Sequence, residues 1–299
     1  MQYRRLGRTG LNVSVVGVGT WQFGGEWGRE FTQGDADAVL GRAADLGINL
    51  VDTAECYGDH LSESLVGRAI RRNRDHWIVA TKFGHRFRGH LEREQLWQPE
   101  EVRRQLEDSL RALGVEAIDL YQFHSGTDEA FDQDDLWAML ADQVRAGKIR
   151  HLGVSLKNGP DPTHQLSGAV EVGVGAIQLV YNRLSRGPES LELPHCQEHD
   201  LGVLARVPLA SGLLSGKYRP GTRFDSPSDV RSSHDAGELQ ARLAEVEKIR
   251  SEEVPAGVDM ASWALAWCLR HPAVGCVIPG CKSVAQVEAN ARAAELVSG

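Results

Sequence analysis

VVGVGTWQFGG occupies residues 15–25. Its first five residues form the short β-branched apolar run of a strand buried on both faces, and the glycines behind it decide which sheet it enters. A doubly wound dinucleotide-binding sheet would carry G-x-G-x-x-G at this strand-to-helix turn, and Gly17, Gly19 and Gly24 have the wrong spacing. Working outward, seven further runs follow: INLVD at 48–52, WIVAT at 77–81, AIDLYQF at 117–123, RHLGVS at 150–155, AIQLVYN at 176–182, GVLARVP at 202–208 and VGCVIPG at 274–280. Between them lie amphipathic stretches: Asp35 to Leu46, Ser62 to Arg71, Pro99 to Leu113, Asp134 to Arg145 and Ser283 to Ala294. They open on Asp, Ser or Pro, and several close before a glycine, as at Gly47 and Gly114. Eight strands alternating with helices predict an α/β fold, a (β/α)8 TIM barrel, over its rival, the open doubly wound sheet. The whole of residues 1–299 is read as one barrel domain, without linker or repeat.

One stretch breaks the rhythm. Residues 209–237, rich in Gly, Ser, Pro and charge, follow the seventh strand. A long loop there lies over the barrel mouth, where loops carry function; a mobile surface insertion is the bland alternative.

Composition narrows the functions. The 299 residues hold 33 Lys plus Arg against 41 Asp plus Glu, a net charge of -8, which speaks against non-specific nucleic-acid binding. No apolar run approaches the roughly 20 residues of a membrane-spanning helix, and the amino terminus has no signal-peptide core. Five cysteines (Cys56, Cys196, Cys268, Cys276, Cys281) form no CxxC and suit a reducing, cytoplasmic setting as buried small residues. A small-molecule partner is expected; nothing in the sequence indicates an oligomeric state.

In a barrel, residues just after successive strands share one rim. DTAECYG after the second strand contributes Asp52 and Tyr57, TKFG after the third contributes Lys82, and FHSG after the fourth contributes His124. Any one alone would be an ordinary cap, packed ring, solvated cation or structural histidine; together they form a site. A tyrosine hydroxyl is a sluggish acid near neutrality, with a pKa of about 10, and a neighbouring ammonium stabilises the phenolate it leaves behind. At about 4 Å and an effective dielectric of about 20, that attraction is roughly 4 kcal/mol, at most about three pKa units. Tyr57 is therefore expected below its ordinary value, with Asp52 holding Lys82 charged and His124 orienting a carbonyl oxygen. Such a site offers a proton to oxygen but no activated Ser or Cys nucleophile, which suits carbonyl reduction with hydride from a cofactor.

From YRRLGRTGLNVSVVGVGTW through DTAECYG, LSESLVGRAI, TKFG and YNRL to PLASGLLSGKY and VIPGCKSVAQVEAN, the chain resembles the aldo-keto reductase superfamily over nearly its whole length. The resemblance implies that Tyr57 is the general acid, Lys82 and Asp52 its tuning pair and His124 the substrate-orienting group. It implies the same barrel with NADPH, or NAD, extended across the rim. Gly19, Thr20 and Trp21 would line the nicotinamide end, and Ser155 and Gln178 would bind its carboxamide. Leu156 departs from the family pattern, in which many relatives have Asn directly after the serine. Arg206 stands where many relatives carry a stacking aromatic; its guanidinium plane can stack or join a buried ion pair. Leu209, Ser211, Gly212, Leu213 and Lys217 resemble the segment that in the family folds over the pyrophosphate. Gly280, Lys282 and Ser283, at a helix amino terminus, fit the 2′-phosphate of NADPH, with Gln286 and Asn290 near the adenosine. Apart from the resemblance, Trp21 and Phe23, with Trp27, in the glycine-rich first loop read as either an apolar substrate wall or local packing.

Other signals are set aside. HCQEH at 195–199 matches a zinc-peptidase pattern but falls on an outer helix near the opposite rim, so no metal is expected. RAIRRNRDH at 68–76 reads as a solvated helix end, and Arg86, Arg88 and Arg93, near the mouth, as surface charge in preference to an attractor for an anionic substrate. Gly212 to Lys217 fails as a Walker loop on spacing. The preferred reading is a reversible NAD(P)H-dependent reductase of aldehydes or ketones. A cofactor-sensing regulatory subunit of the same fold is the alternative, and a Schiff-base aldolase a third class.

Overall fold

The computed structural model describes residues 1–159 and 161–297. In chain order the strands are β1 (Tyr3–Arg5), β2 (Asn12–Ser14), β3 (Val18–Gly19), β4 (Leu50–Asp52), β5 (Ile78–Phe83), β6 (His85–Gly89), β7 (Glu92–Gln95), β8 (Ile118–His124), β9 (Ile149–Ser155), β10 (Ala176–Val180), β11 (Gly202–Arg206) and β12 (Val274–Ile278). Eight of them form one parallel sheet in the order β3-β4-β5-β8-β9-β10-β11-β12. Its ends meet: parallel bridges join Val16 to Val277 and Gly19 to Gly280, and the Gly17 amide donates to the Val277 carbonyl at 2.8 Å. The sheet is a closed (β/α)8 barrel, and all eight apolar runs fall on its strands.

Strand polarity explains the position of the cleft. Because every barrel strand runs the same way, Asp52, Lys82, His124, Ser155, Gln178 and Arg206, on or near the carboxyl ends of six strands, converge on one rim. Inside the barrel Leu50, Ala80, Leu120, Ala176, Leu204 and Cys276 pack in one cluster that also takes Leu6 and Val13. These last two flank and belong to the β1–β2 hairpin, which plugs the opposite end; the arginine-rich amino terminus masked that strand alternation. A larger apolar shell fills the space between sheet and helices.

Of the expected helices, Pro99–Leu113 and Asp134–Arg145 have the read boundaries, and Gln33–Asp45, Leu61–Ile70 and Val284–Ala291 begin or end within three residues of them. Pro99 occupies the first turn of its helix, where a missing amide hydrogen is harmless, and Gly114 closes it in a left-handed conformation.

Two insertions cover the rim. The β6–β7 hairpin follows β5, and residues after β11 form two short 3-10 turns, Ala210–Ser215 and Val230–Ser233, before the helix Ala236–Glu252. The second insertion is tied down: the Val230 amide donates to the Glu26 carbonyl at 3.1 Å and the Gly28 amide to the Ser228 carbonyl at 3.0 Å. The alternative of a free surface loop over 209–237 is thus replaced by a docked segment. No helix among the described residues is long and apolar enough to cross a membrane.

Candidate active site

Tyr57 lies in the turn after β4, against the loop after β3. Gly24 permits that approach: a Cβ there would lie 2.7 Å from the Tyr57 carbonyl carbon. Behind the tyrosine, the Lys82 ammonium donates to Asp52 Oδ1 at 2.7 Å, to the Thr53 carbonyl at 2.7 Å and to the Tyr57 hydroxyl at 3.3 Å. Asp52 Oδ2 accepts from Gln178 Nε2 at 2.8 Å and Gln122 Nε2 at 3.1 Å, so the buried carboxylate is fully engaged. Burial works against the Lys82 charge, but Asp52 and then Tyr57 hold the ammonium above the ordinary lysine range.

The tyrosine departs from expectation. Burial pushes its hydroxyl up to about 12, and Lys82, pulling the other way, recovers only part of that shift. The cost of placing a phenolate in the barrel wall outweighs the ammonium's attraction, from which a lowered value was expected.

His124 completes the group, its ring edge-on to Tyr57 with centroids 6.2 Å apart. Burial first, then His85, holds its imidazole well below the ordinary histidine range, so it is neutral. Its Nδ1 lies 3.8 Å from Cys56 Sγ, and its ring stacks on His85.

A cavity of about 610 Å³ opens in front of Tyr57 and His124 and runs to the helix Val284–Ala291. At the tyrosine end it is walled by Trp21, Trp27, Cys56, His85, Leu91 and Arg93. Trp21 lies nearly parallel to Tyr57 at 6.0 Å and edge-on to Trp27 at 5.2 Å. Glu26 holds this wall: its carboxylate accepts from Trp21 Nε1 at 2.7 Å, the Leu91 amide at 2.8 Å and Arg93 Nη2 at 2.6 Å.

At the far end, Ser283 caps the last helix and Lys282 Nζ donates to the Trp27 carbonyl at 2.7 Å. Burial depresses the Lys282 ammonium, and Arg231, Arg29 and Lys217 depress it further, with Asp229 opposing them. Positive charge crowded beside a helix amino terminus suits an anion.

The aldo/keto reductase family model matches residues 15–298. The chain belongs to the aldo/keto reductase family. It is 32% identical to the uncharacterized oxidoreductase YqkF of Bacillus subtilis over 98% of this chain and 91% of that one. Among solved structures it resembles the aldo-keto reductase AKR11C1 of Bacillus halodurans in its holo form, at a TM-score of 0.81 and 31% identity, covering 99% of this chain and 91% of the other. It also resembles the glycerol dehydrogenase AKR11B4 of Gluconobacter oxydans, at a TM-score of 0.82 and 32% identity, covering 95% and 87%.

Most residues read as contacts of this aldo/keto reductase line the cleft: Gly19, Thr20, Trp21, Gln178, Arg206, Leu209, Ser211, Gly212, Lys217, Gly280, Lys282, Ser283, Gln286 and Asn290. Three do not. Phe23 is fully buried against Phe31, ring centroids 5.1 Å apart, so it belongs to the core and not to a substrate wall. Leu213 packs with Leu239 and Leu243 beneath the segment it was expected to present. Ser155 is buried behind Gln178, its Oγ 3.4 Å from Gln178 Oε1.

Other residues acquire different roles. Gln178 spends its amide hydrogens on Asp52 and on Gln122 Oε1, the latter at 3.1 Å, so it braces the carboxylate. Arg206 joins no ion pair among the described residues; its Nη2 donates to the Leu156 carbonyl at 3.0 Å, and its Nε is buried without a partner. Leu156 itself packs into the core shell. Val207, next along, adopts φ 53°, unfavourable for a β-branched residue, where the chain turns from β11 into the cleft.

Arg86 and Arg88 pair with Glu94 on the exposed hairpin, whereas Arg93 is drawn into the cleft wall by Glu26, a correction to its reading as surface charge. In the RAIRRNRDH run, Arg74 likewise leaves solvent to pair with buried Asp119 at 2.7 Å. In HCQEH, His195 Nε2 lies 3.1 Å from the Leu166 carbonyl, and the His195 and His199 rings are tilted at 47° with centroids 4.4 Å apart. Cys56, His85 and Leu91 line the cleft without having been expected there, and Glu26 braces its wall from behind; the alternation of HRFRG and EREQ was the available signal for the hairpin that carries His85 and Arg93.

Proposed function

We propose that this chain, acting as one barrel unit, reduces aldehydes or ketones to alcohols, reversibly, with NADPH preferred over NADH. The observation that carries the reading is the Tyr57 hydroxyl, backed at 3.3 Å by Lys82 and facing, with His124, a cleft whose other end is cationic.

The nicotinamide cofactor, when bound, supplies the hydride. Tyr57 gives its proton to the substrate oxygen as charge develops there. At about 12 the phenol is far from ionised at neutrality, yet still a stronger acid than the alcohol it forms, which resembles water at about 15.7. Lys82 stabilises the phenolate left behind, and Asp52 fixes the ammonium. Neutral His124 holds the carbonyl oxygen: with the Cys56 thiol donating to Nδ1, the ring proton resides on Nε2 and is available to that oxygen. Trp21, Trp27 and Leu91 keep water from the reacting centre.

Gly280, Lys282, Ser283, Gln286 and Asn290 would hold the adenosine 2′-phosphate end, and Lys217 with the Ser211–Gly212 turn the pyrophosphate. The buried, partnerless Arg206 Nε beside the cleft suits a polar or planar group from the nicotinamide. Tryptophan fluorescence titrated with NADPH and NADH, then turnover on a panel of aldehydes, ketones and sugars, tests the reading. Tight NADPH binding without turnover of any carbonyl would favour the cofactor-sensing alternative; equal affinity for NADH would remove the proposed preference.

A further inference from the structure

We propose that Cys56, His85 and His124 form a binding site for a borderline-soft divalent ion of the zinc class at the substrate end of the cleft. The three residues come from the turn after β4, the start of β6 and the end of β8. Their ligand atoms, Sγ and one nitrogen of each imidazole, all lie within 4.8 Å of one another. Cys56 Sγ is 3.8 Å from His124 Nδ1, and the two imidazoles are nearly parallel, at an interplanar angle of 21°.

A second observation points to a ligand. His85 Nε2 is buried and has no hydrogen-bond partner, a costly state for a ring nitrogen. Aromatic packing of the two rings would need neither that bare nitrogen nor a thiol beside them. Burial and then Glu55 hold the Cys56 thiol protonated, well above its ordinary range, and Arg93 opposes only part of that shift, so the proton leaves only as a metal binds; the Arg93 charge is matched by Glu26 at 2.6 Å.

The donor set decides the class of ion. Zinc takes imidazole at about 2.0–2.1 Å and thiolate at about 2.3 Å in a tetrahedron, which places ligand atoms roughly 3.3–3.7 Å apart. The Cys56–His124 pair, at 3.8 Å, is already close to that spacing, and no pair needs to close by more than about 1.5 Å. Hard ions that require oxygen ligands are disfavoured by a thiolate and two nitrogens. Three protein ligands leave the fourth position open to the cleft. On binding, the metal displaces the Cys56 thiol proton to solvent and forms one sulfur and two nitrogen bonds, with no change of oxidation state. This site does not depend on carbonyl reduction, although an ion there would engage His124.

Cobalt(II), and zinc(II) in competition with it, added to the full-length chain test the proposal. One equivalent of cobalt should bind with a sulfur-to-metal charge-transfer band in the near ultraviolet, and zinc should abolish it by displacement. Cys56→Ser should remove the band, and His85→Gln should weaken binding of either metal at least tenfold, with circular dichroism reporting that each variant is folded. His85 lies on the partly exposed hairpin, so that variant keeps the test valid if the buried Cys56 change disrupts the fold. Absence of the band in the parent protein, or unchanged metal affinity in folded His85→Gln, would overturn the proposal.

Discussion

Lys82 Nζ and Asp52 Oδ1 are 2.7 Å apart, with side chains only 1% and 5% exposed. An ion pair this deep does more to fix geometry than to stabilise the fold, but breaking one side strands a charge in the barrel. Lys82→Met is therefore expected to lower stability by about 3–5 kcal/mol, measured by urea unfolding. Adding Asp52→Asn should recover part of that loss. A single variant as stable as the parent would mean that Asp52 does not need this partner.

Glu55 provides a pH signature. It is buried, Glu63 adds like charge, and its carboxyl is pushed up to about 8. The folded chain then binds one more proton than the unfolded chain between about pH 4.5 and 8, so this group's stability contribution is complete below that window and is lost as pH rises through it. Glu55→Gln should match the parent in acid and become progressively more stable than it towards pH 8. Parallel curves across this range would contradict the assignment.

Lys282 meets the Trp27 carbonyl at 2.7 Å and carries two further donors. Lys282→Met is expected to weaken NADPH binding by about tenfold or more, as loss of a charge-assisted phosphate contact would, and to leave NADH binding within about twofold. Fluorescence titration reads both. Equal losses for the two cofactors would remove Lys282 from 2′-phosphate recognition.

Glu26 fastens the β6–β7 hairpin to the first-strand loop through Trp21, Leu91 and Arg93. Glu26→Gln should raise KM for carbonyl substrates several-fold with little effect on cofactor affinity, and should speed amide exchange over 85–95. If exchange there is unaltered, other contacts hold the hairpin.

The barrel was legible because each strand is a short β-branched run bounded by turn residues, and the grouping of Asp52, Tyr57, Lys82 and His124 because three strand ends place them on one rim. The two hairpins were harder. Arginines hid the alternation of residues 3–14, and His85 to Gln95 mixes charge with single apolar residues. Depth was least visible: FGG reads alike whether Phe23 faces a cleft or meets Phe31, and Leu213 looks like its exposed neighbours until the helix Ala236–Glu252 packs beneath it. The Tyr57 shift failed for the same reason, since the cost of burying a phenolate is a property of three-dimensional surroundings.

The central claim is that Tyr57 supplies the proton in a cofactor-dependent carbonyl reduction. The most direct measurement is NADPH oxidation by the parent and Tyr57→Phe on the best aldehyde of a panel, with NADPH affinity measured alongside. We expect kcat to fall by about 10²–10⁴-fold, the range for removal of a general acid, while the NADPH dissociation constant changes less than about threefold. Turnover of Tyr57→Phe equal to that of the parent would contradict the account.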